Sequence, residues 1–357
     1  MPEPTVRRVA VTSAIRYVVP SAVSGYFRIL DLEKGRVSFV TPSPESTFRT
    51  LDPNPRGGTR GARGVSVHGD RLVVANAERL FVFDPSWRLV SELSDRLMSD
   101  VHDVLAEENG VWIAATGCDL LLFVTWGGRI EHEWSLRGDR KLLRELGFRE
   151  RSLRRIDPGI DWRDPRARGA GYERLHLNSL ARTENGLLAS LGRVAWTVEP
   201  KPEFSSALVQ ISPKGAVSVL FRRPSAVVPN HNVAVDGEHL VYNDSNRDCL
   251  VAVDRVDGTE RCAVQIPGDP SWARGLARVG AGRWLVGSQS PLAVYEVDLD
   301  RGEVVGEYPL GGVKDETVYG ICPIPDAFGE PRQPLGDDPY EFWKRAAATP
   351  AATPVGG

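Results

Sequence analysis

The chain has 357 residues, of which 41% are hydrophobic and 25% charged, with a formal net charge of −3. These are the values of an ordinary globular protein with room for one large domain. The charge excludes a general attraction to nucleic acid or to a membrane surface, and no stretch is long and apolar enough to span a bilayer.

The N-terminal stretch MPEPTVRRVAVTSAIRYVVP has no long apolar core behind its arginines, so no secretory signal is read and the cytoplasm is the expected location. Short alternating segments follow at 8–41 (IRYVV, YFRILD, RVSFV), and from residue 62 a pattern recurs. A strand-like segment opens on Arg63, His102, His176, His231, Arg274 or Tyr319, alternates apolar residues, and usually reaches a glycine turn. Apart from one insertion the spacing is close to the period of about 40 to 45 residues of propeller blades. Each unit continues into further strands: LVVAN then LFVFD, VWIAAT then DLLLFV, LLASL then ALVQI, LVYND then LVAVD, WLVGS then AVYEVD. Turns such as Pro213-Lys214-Gly215 and Asp257-Gly258 lead into a fourth.

Four antiparallel strands make one blade, and the expected fold is an all-β six-bladed propeller over residues 1–325. Five blades fall at 62–93, 100–136, 175–221, 231–266 and 272–309. The sixth combines 316–323 with 8–41, so that strands from both ends of the chain close the ring and leave no exposed sheet edge. A β-sandwich or two smaller β domains is the rival, but neither requires a period.

Two segments leave the repeat. Residues 137–174 are arginine-rich, with a helical pattern in KLLRELGF and then a Pro/Gly/Asp loop. Because it runs directly into His176, this insertion is expected as a lid over one channel mouth, against a solvated charged excursion or a self-association surface. Residues 326–357 are rich in Pro, Ala, Gly and Thr and are expected to be mostly disordered. A short helix near 338–346 is announced by Asp338 as N-cap, Pro339 at the first helical position and Glu341 three after the cap. Cys118, Cys249, Cys262 and Cys322 are dispersed with no C-x-x-C pair, so buried free thiols are read.

In a propeller the first strand of each blade lines a central channel. Even offsets to the turn glycines place the six opening residues on one face, so three imidazoles, two guanidiniums and a phenol are expected around one axis. His68 and His239 fall in hairpin turns and His132 on an outer strand, all surface or structural. Asn243, Asp244 and Ser245 are read as turn hydrogen bonds, since no histidine stands at useful spacing from Ser245 and G-x-S-x-G is absent. Tyr319 and Arg274 have a second reading as a seal on the channel floor.

At HDVLAEENGVWIAATG, LHLNSLARTENGLLASLGR and NHNVAVDGEHLVYNDS, over about half its length, the chain resembles the arylsulfate sulfotransferase family of six-bladed propellers. The resemblance implies that His102 (of His102-Asp103) and His176 (of His176-Leu177-Asn178-Ser179) are active-site histidines. It further implies that Arg193 binds sulfate and that His231 carries the sulfuryl group, although the family's double serine before the arginine is here Ser190-Leu191-Gly192. The stretch PNHNVAVDGEHLVYNDS with ARGL at 273–276 also resembles an uncharacterised bacterial propeller family, which implies fold alone.

Three functions remain open. In the first, a histidine nucleophile transfers a sulfuryl or phosphoryl group on a small aromatic substrate, with Arg63, Arg193 and Arg274 on the equatorial oxygens and no cofactor. In the second, His102, His176 and His231 hold Zn, Fe, Cu or Mn, with Asp103, Asn178 or Asn232 as partners of the ligands. His176 lies two residues upstream of Asn178, which disfavours three ligands at one height unless tilt or a bulge restores it. The third is a propeller that only binds a partner.

Overall fold

Apolar residues at every second position, broken by two-residue turns, cannot bury one face except by stacking strands into sheets. The protein, described from a computed structural model, stacks them six times. The structure describes residues 6–16, 23–52, 60–148, 153, 156, 157, 159–168, 173–195, 204–224, 230–332, 338 and 340–344.

The chain begins with β1 (Arg8–Ile15), β2 (Tyr26–Asp31) and β3 (Arg36–Pro42). Blade I is β4 (Val65–His68), β5 (Arg71–Ala75), β6 (Leu80–Phe83) and β7 (Leu89–Leu93). Blade II is β8 (Val101–Glu107), β9 (Gly110–Ala115), β10 (Leu120–Thr125) and β11 (Ile130–Ser135). The insertion carries α1 (Arg140–Glu145) and α2 (Pro165–Arg168). Blade III is β12 (Leu177–Thr183), β13 (Gly186–Ala195), β14 (Phe204–Ile211) and β15 (Val217–Pro224). Blade IV is β16 (His231–Asp236), β17 (His239–Asp244), β18 (Cys249–Asp254) and β19 (Glu260–Gln265). Blade V is β20 (Arg274–Gly280), β21 (Arg283–Gly287), β22 (Ala293–Asp298) and β23 (Glu303–Pro309). After β24 (Glu316–Pro323) comes α3 (Glu341–Lys344).

Blade VI has the order β24-β1-β2-β3, which closes the ring with strands from both ends of the sequence as expected. Strands β4, β8, β12, β16, β20 and β24 touch one another in succession and form the inner ring. The core is divided among the seams between blades. Val73, Val82, Ile113 and Leu122 fill one seam, Trp284, Val286, Val241 and Leu250 another, and comparable clusters occupy the remaining four. Among the described residues no helix is long and apolar enough to cross a membrane.

The insertion contributes to two seams. Leu142, Leu143, Leu146, Phe148 and Leu153 pack between blades II and III, and Trp162 packs between blades I and II. Asp139 caps α1 by accepting from the Lys141 and Leu142 amides, both at 2.9 Å. Within the tail, residues 326–332, 338 and 340–344 are described, and Pro339 and residues 345–346 of the expected helix lie outside them. Phe328, Phe342 and Trp343 are buried in the seam between blades VI and I, where Phe342 stacks on Phe83 at 5.0 Å. Composition hides this because three aromatic rings suffice to anchor a segment whose other residues are mostly small or proline. Helix α3 does begin behind Asp338, whose carboxylate accepts the Tyr340 amide at 2.9 Å.

Candidate functional site

Every inner strand carries one extra residue near its start. The register skips His102 in β8, Asn178 in β12, Asn232 in β16, Gly275 in β20 and Tyr319 in β24. In blade I the Ala75 amide and carbonyl bond to Gly64 and Arg63, which makes Gly64 the sixth such position. These are β-bulges, which re-aim side chains at a strand end. Two must be glycine: a Cβ on Gly64 would meet the Val104 nitrogen at 2.7 Å, and Gly275 holds φ +72° against Ile321.

The bulges revise the register expected from sequence. His102 and Tyr319 sit on the bulge, Arg63, His231 and Arg274 one residue before it, and His176 two before it, so the six are not equivalent. Offsets to glycine misled because the bulge lies 5 residues before the turn in blades I and IV (Gly64 to Gly69, Asn232 to Gly237) but 6 before it in blades II and III (His102 to Glu108, Asn178 to Glu184), a one-residue difference that inverts parity. Convergence survives nonetheless. The His102 and His176 rings meet edge to face at 4.9 Å, and His102 meets Tyr319 at 6.1 Å. The Arg274 and Arg63 guanidiniums lie 4.5 and 5.5 Å from the Tyr319 ring centre. His231 feels the charge of Arg274, His176 and His102.

Each imidazole is held through Nδ1. The Asn178 amide donates to the Asn230 carbonyl at 2.7 Å, so its Oδ1 faces His102 and accepts from Nδ1–H at 2.9 Å. Ser245 Oγ donates to the Ala273 carbonyl at 2.5 Å and therefore accepts from His231 Nδ1–H at 2.7 Å. His176 Nδ1 is paired with the Glu173 carboxylate at the end of the insertion. Nε2 of His176 and of His231 is buried without a hydrogen-bond partner among the described residues. The backbone at His176 has φ 53°, unusual for a side chain of this size, and Asp119 pins it there. The Asp119 carboxylate accepts the amides of Arg174, Leu175 and His176 at 3.0–3.1 Å and pairs with Arg137 at 2.6 Å.

Protonation follows from these surroundings. Burial, reinforced by neighbouring positive charge, holds His231 well below the ordinary imidazole range, and burial likewise lowers His102. Burial lowers His176 too, but Glu173 outweighs it and the net shift is upward. Burial pulls the Arg274 guanidinium down to about 10, and its Nε and Nη1 have no hydrogen-bond partner among the described residues. Burial also opposes ionisation of Tyr319, yet Arg274, Arg63 and Arg16 together bring its phenol down to about 7. Arg63 is paired with Asp100 at 2.5 Å, and that carboxylate also stands 3.7 Å from His102 Nε2.

Other expected residues fall elsewhere. Asp103 accepts the Val104 and Leu180 amides, each at 2.9 Å, and so ties blade II to blade III; burial raises it to about 7. Asn232 joins blades IV and V through the Gly275 amide at 2.7 Å. Arg193 is in β13, and its side chain lies outside the described residues. His68 and His239 are exposed, and exposed His132 stacks on Trp112 at 5.9 Å. Two sequence readings are corrected. Ser245 does have a histidine partner, fourteen residues back across β16 and β17, and Asn243 donates between blades, to the Gly275 carbonyl at 3.0 Å. Asp244 makes the expected turn bonds, to Asn246 and Arg247.

No family model matches the chain, and no curated protein matches it. Solved structures do. A protein of unknown function from Bacteroides caccae is 12% identical over 90% of this chain and 99% of its own, with a TM-score of 0.55. A chain of the nidogen/laminin complex is 10% identical over 88% and 97%, with a TM-score of 0.50. Streptogramin B lyase is 11% identical over 70% and 69%, with a TM-score of 0.47. At such identities the likeness is one of fold. Among the described residues no three His, Cys, Asp or Glu side chains stand together as a metal-ligand set.

Proposed function

We propose that the protein is a group-transfer enzyme that moves a sulfuryl or phosphoryl group from a small aromatic ester through His231. The observation that carries this reading is His231 itself, with Nδ1–H donated to Ser245 and Nε2 buried and unpartnered. That fixes the lone pair on Nε2, and the lowered proton affinity keeps it there at neutral pH.

In the reaction, His231 Nε2 bonds to sulfur or phosphorus as the ester bond to the aryl oxygen breaks. His176, whose proton affinity Glu173 raises, gives an Nε2 proton to the departing phenolate from its protonated form. An acceptor phenol then attacks the group on His231, returns a proton to His176, and frees the imidazole. Arg274, whose charge acts on His231, and Arg63, which shares Tyr319 with it as a neighbour, would supply positive charge to the equatorial oxygens, and the planar fork of guanidinium suits tetrahedral oxyanions. The motif resemblance at His102, His176 and His231 supports the same assignment.

The three-histidine metal reading has weaker support, because guanidiniums crowded round Tyr319 oppose a divalent cation. One experiment separates them. Protein incubated with an aryl sulfate or aryl phosphate and a phenol acceptor is expected to yield the transferred ester, with the activity unchanged by chelator and lost in His231→Ala. Full activity in that variant, or turnover that depends on one bound Zn, Fe, Cu or Mn per chain by elemental analysis, overturns the proposal.

A further inference from the structure

Arg16, at the end of β1, was marked by no sequence motif. Its guanidinium lies 4.0 Å over the ring of Trp272, in the segment leading into β20. Both residues are half-buried. Trp272 holds φ 48°, a left-handed conformation that a bulky side chain seldom adopts, and Asp248 secures it by accepting its amide at 2.6 Å. A strained aromatic fixed in this way commonly serves the site beside it. Trp272 precedes Ala273, whose carbonyl accepts the Ser245 hydroxyl that holds His231, so the indole positions the Arg16 guanidinium beside the site, where its charge acts on Tyr319, Arg274 and His231.

The charges at the axis then sum in an uneven way. Arg63 is paired with Asp100 and His176 with Glu173. Arg16 and Arg274 have no carboxylate partner among the described residues, and Arg274 is 6% exposed with two nitrogens unbonded. While Tyr319, which ionises at about pH 7, is a neutral phenol, two like charges are held near one another, one of them buried, and await an anion of matching charge.

We infer that Arg16, positioned by Trp272, makes the site selective for a doubly charged ester, so that the natural donor is an aryl phosphate dianion rather than an aryl sulfate monoanion. This rests on the proposed transfer site and chooses between its two group classes. A sulfate monoester carries one charge at any pH the protein tolerates. A phosphate monoester, with its second ionisation near pH 6, carries close to two at pH 7.

The test measures binding rather than turnover. Phenyl phosphate and phenyl sulfate are titrated calorimetrically at pH 7 into the His231→Ala protein, which consumes neither. Phenyl phosphate is expected to bind at least about tenfold more tightly, as one additional close charge contact in a partly buried site implies. Arg16→Gln is expected to bring the two affinities within about threefold, whereas Arg16→Lys, which keeps the charge, retains most of the preference. Trp272→Leu is expected to reduce the ratio as well. Equal affinities in the parent, or an unchanged ratio in a folded Arg16→Gln protein, overturn the inference. The transfer proposal is judged separately, by turnover in the native chain.

Discussion

Tyr319 is the phenol on which three cations act. Arg274, Arg63 and Arg16 bring its ionisation to about pH 7, with the His102 ring at its edge. Below that pH it is a neutral donor. Above it the phenolate neutralises guanidinium charge that an anionic ligand would otherwise use, so anion affinity is expected to fall as pH rises through about 7. Deprotonation of His176 acts in the same direction, so the variant is needed to isolate the phenol. Tyr319→Phe is expected to flatten that part of the profile and to remove a single tyrosine titrating near neutrality in the ultraviolet spectrum; a native spectrum with no such transition refutes this.

The histidines and arginines of the site were legible because their types are conspicuous at strand starts. Their partners were not. Asp100, Ser245 and Arg16 join the site across blade seams or hairpins, where the separation in sequence follows no rule, and Glu173 joins it locally, three residues before His176, in a loop with no periodic pattern. The position of Ser245 opposite His231 depends on where the bulge at Asn232 falls, and nothing in the residue string marks that skipped register.

Among the elements, α3 best separates propensity from packing. A helix of four residues has almost no stability of its own. Phe342 and Trp343 hold it against Phe27, Phe39, Phe81 and Phe83. Phe342→Ala is expected to cost about 3–5 kcal/mol in urea unfolding, because it opens a cavity in an aromatic cluster. A loss below about 1 kcal/mol would mean that the tail contributes little to this seam. The strands were readable from alternation and the near-regular period, since both report directly on which face is buried. Helix α1 of the insertion and α3 of the tail were readable too, from KLLRELGF and the Asp338 cap, but the seams these segments fill were not, because a few apolar anchors scattered among Pro, Gly and Arg leave no periodic trace. Trp162 is such an anchor: it reaches the seam between blades I and II from the loop just before α2.

At the level of the whole molecule, the ring is joined by hydrogen bonds and by charge. Arg28 on β2 grips Glu316 on β24 with two contacts, 2.5 and 3.1 Å, and Ser13 of β1 bonds the same carboxylate. Both charged partners are buried. Glu316→Ala leaves the Arg28 cation without its counterion and is expected to cost about 3–5 kcal/mol. Thermal unfolding of the variant at neutral pH, indistinguishable from the native chain, would show that closure does not depend on this pair.

Closure also sets when the axial cluster is complete. Tyr319 arrives on the last strand made, whereas its neighbours Arg63 and Arg274 belong to blades whose strands are synthesised earlier. A ribosome-bound chain with five blades assembled therefore holds the imidazoles without the phenol that organises the charge around them. The charge arrangement around the phenol is complete only once β24 has docked on β1.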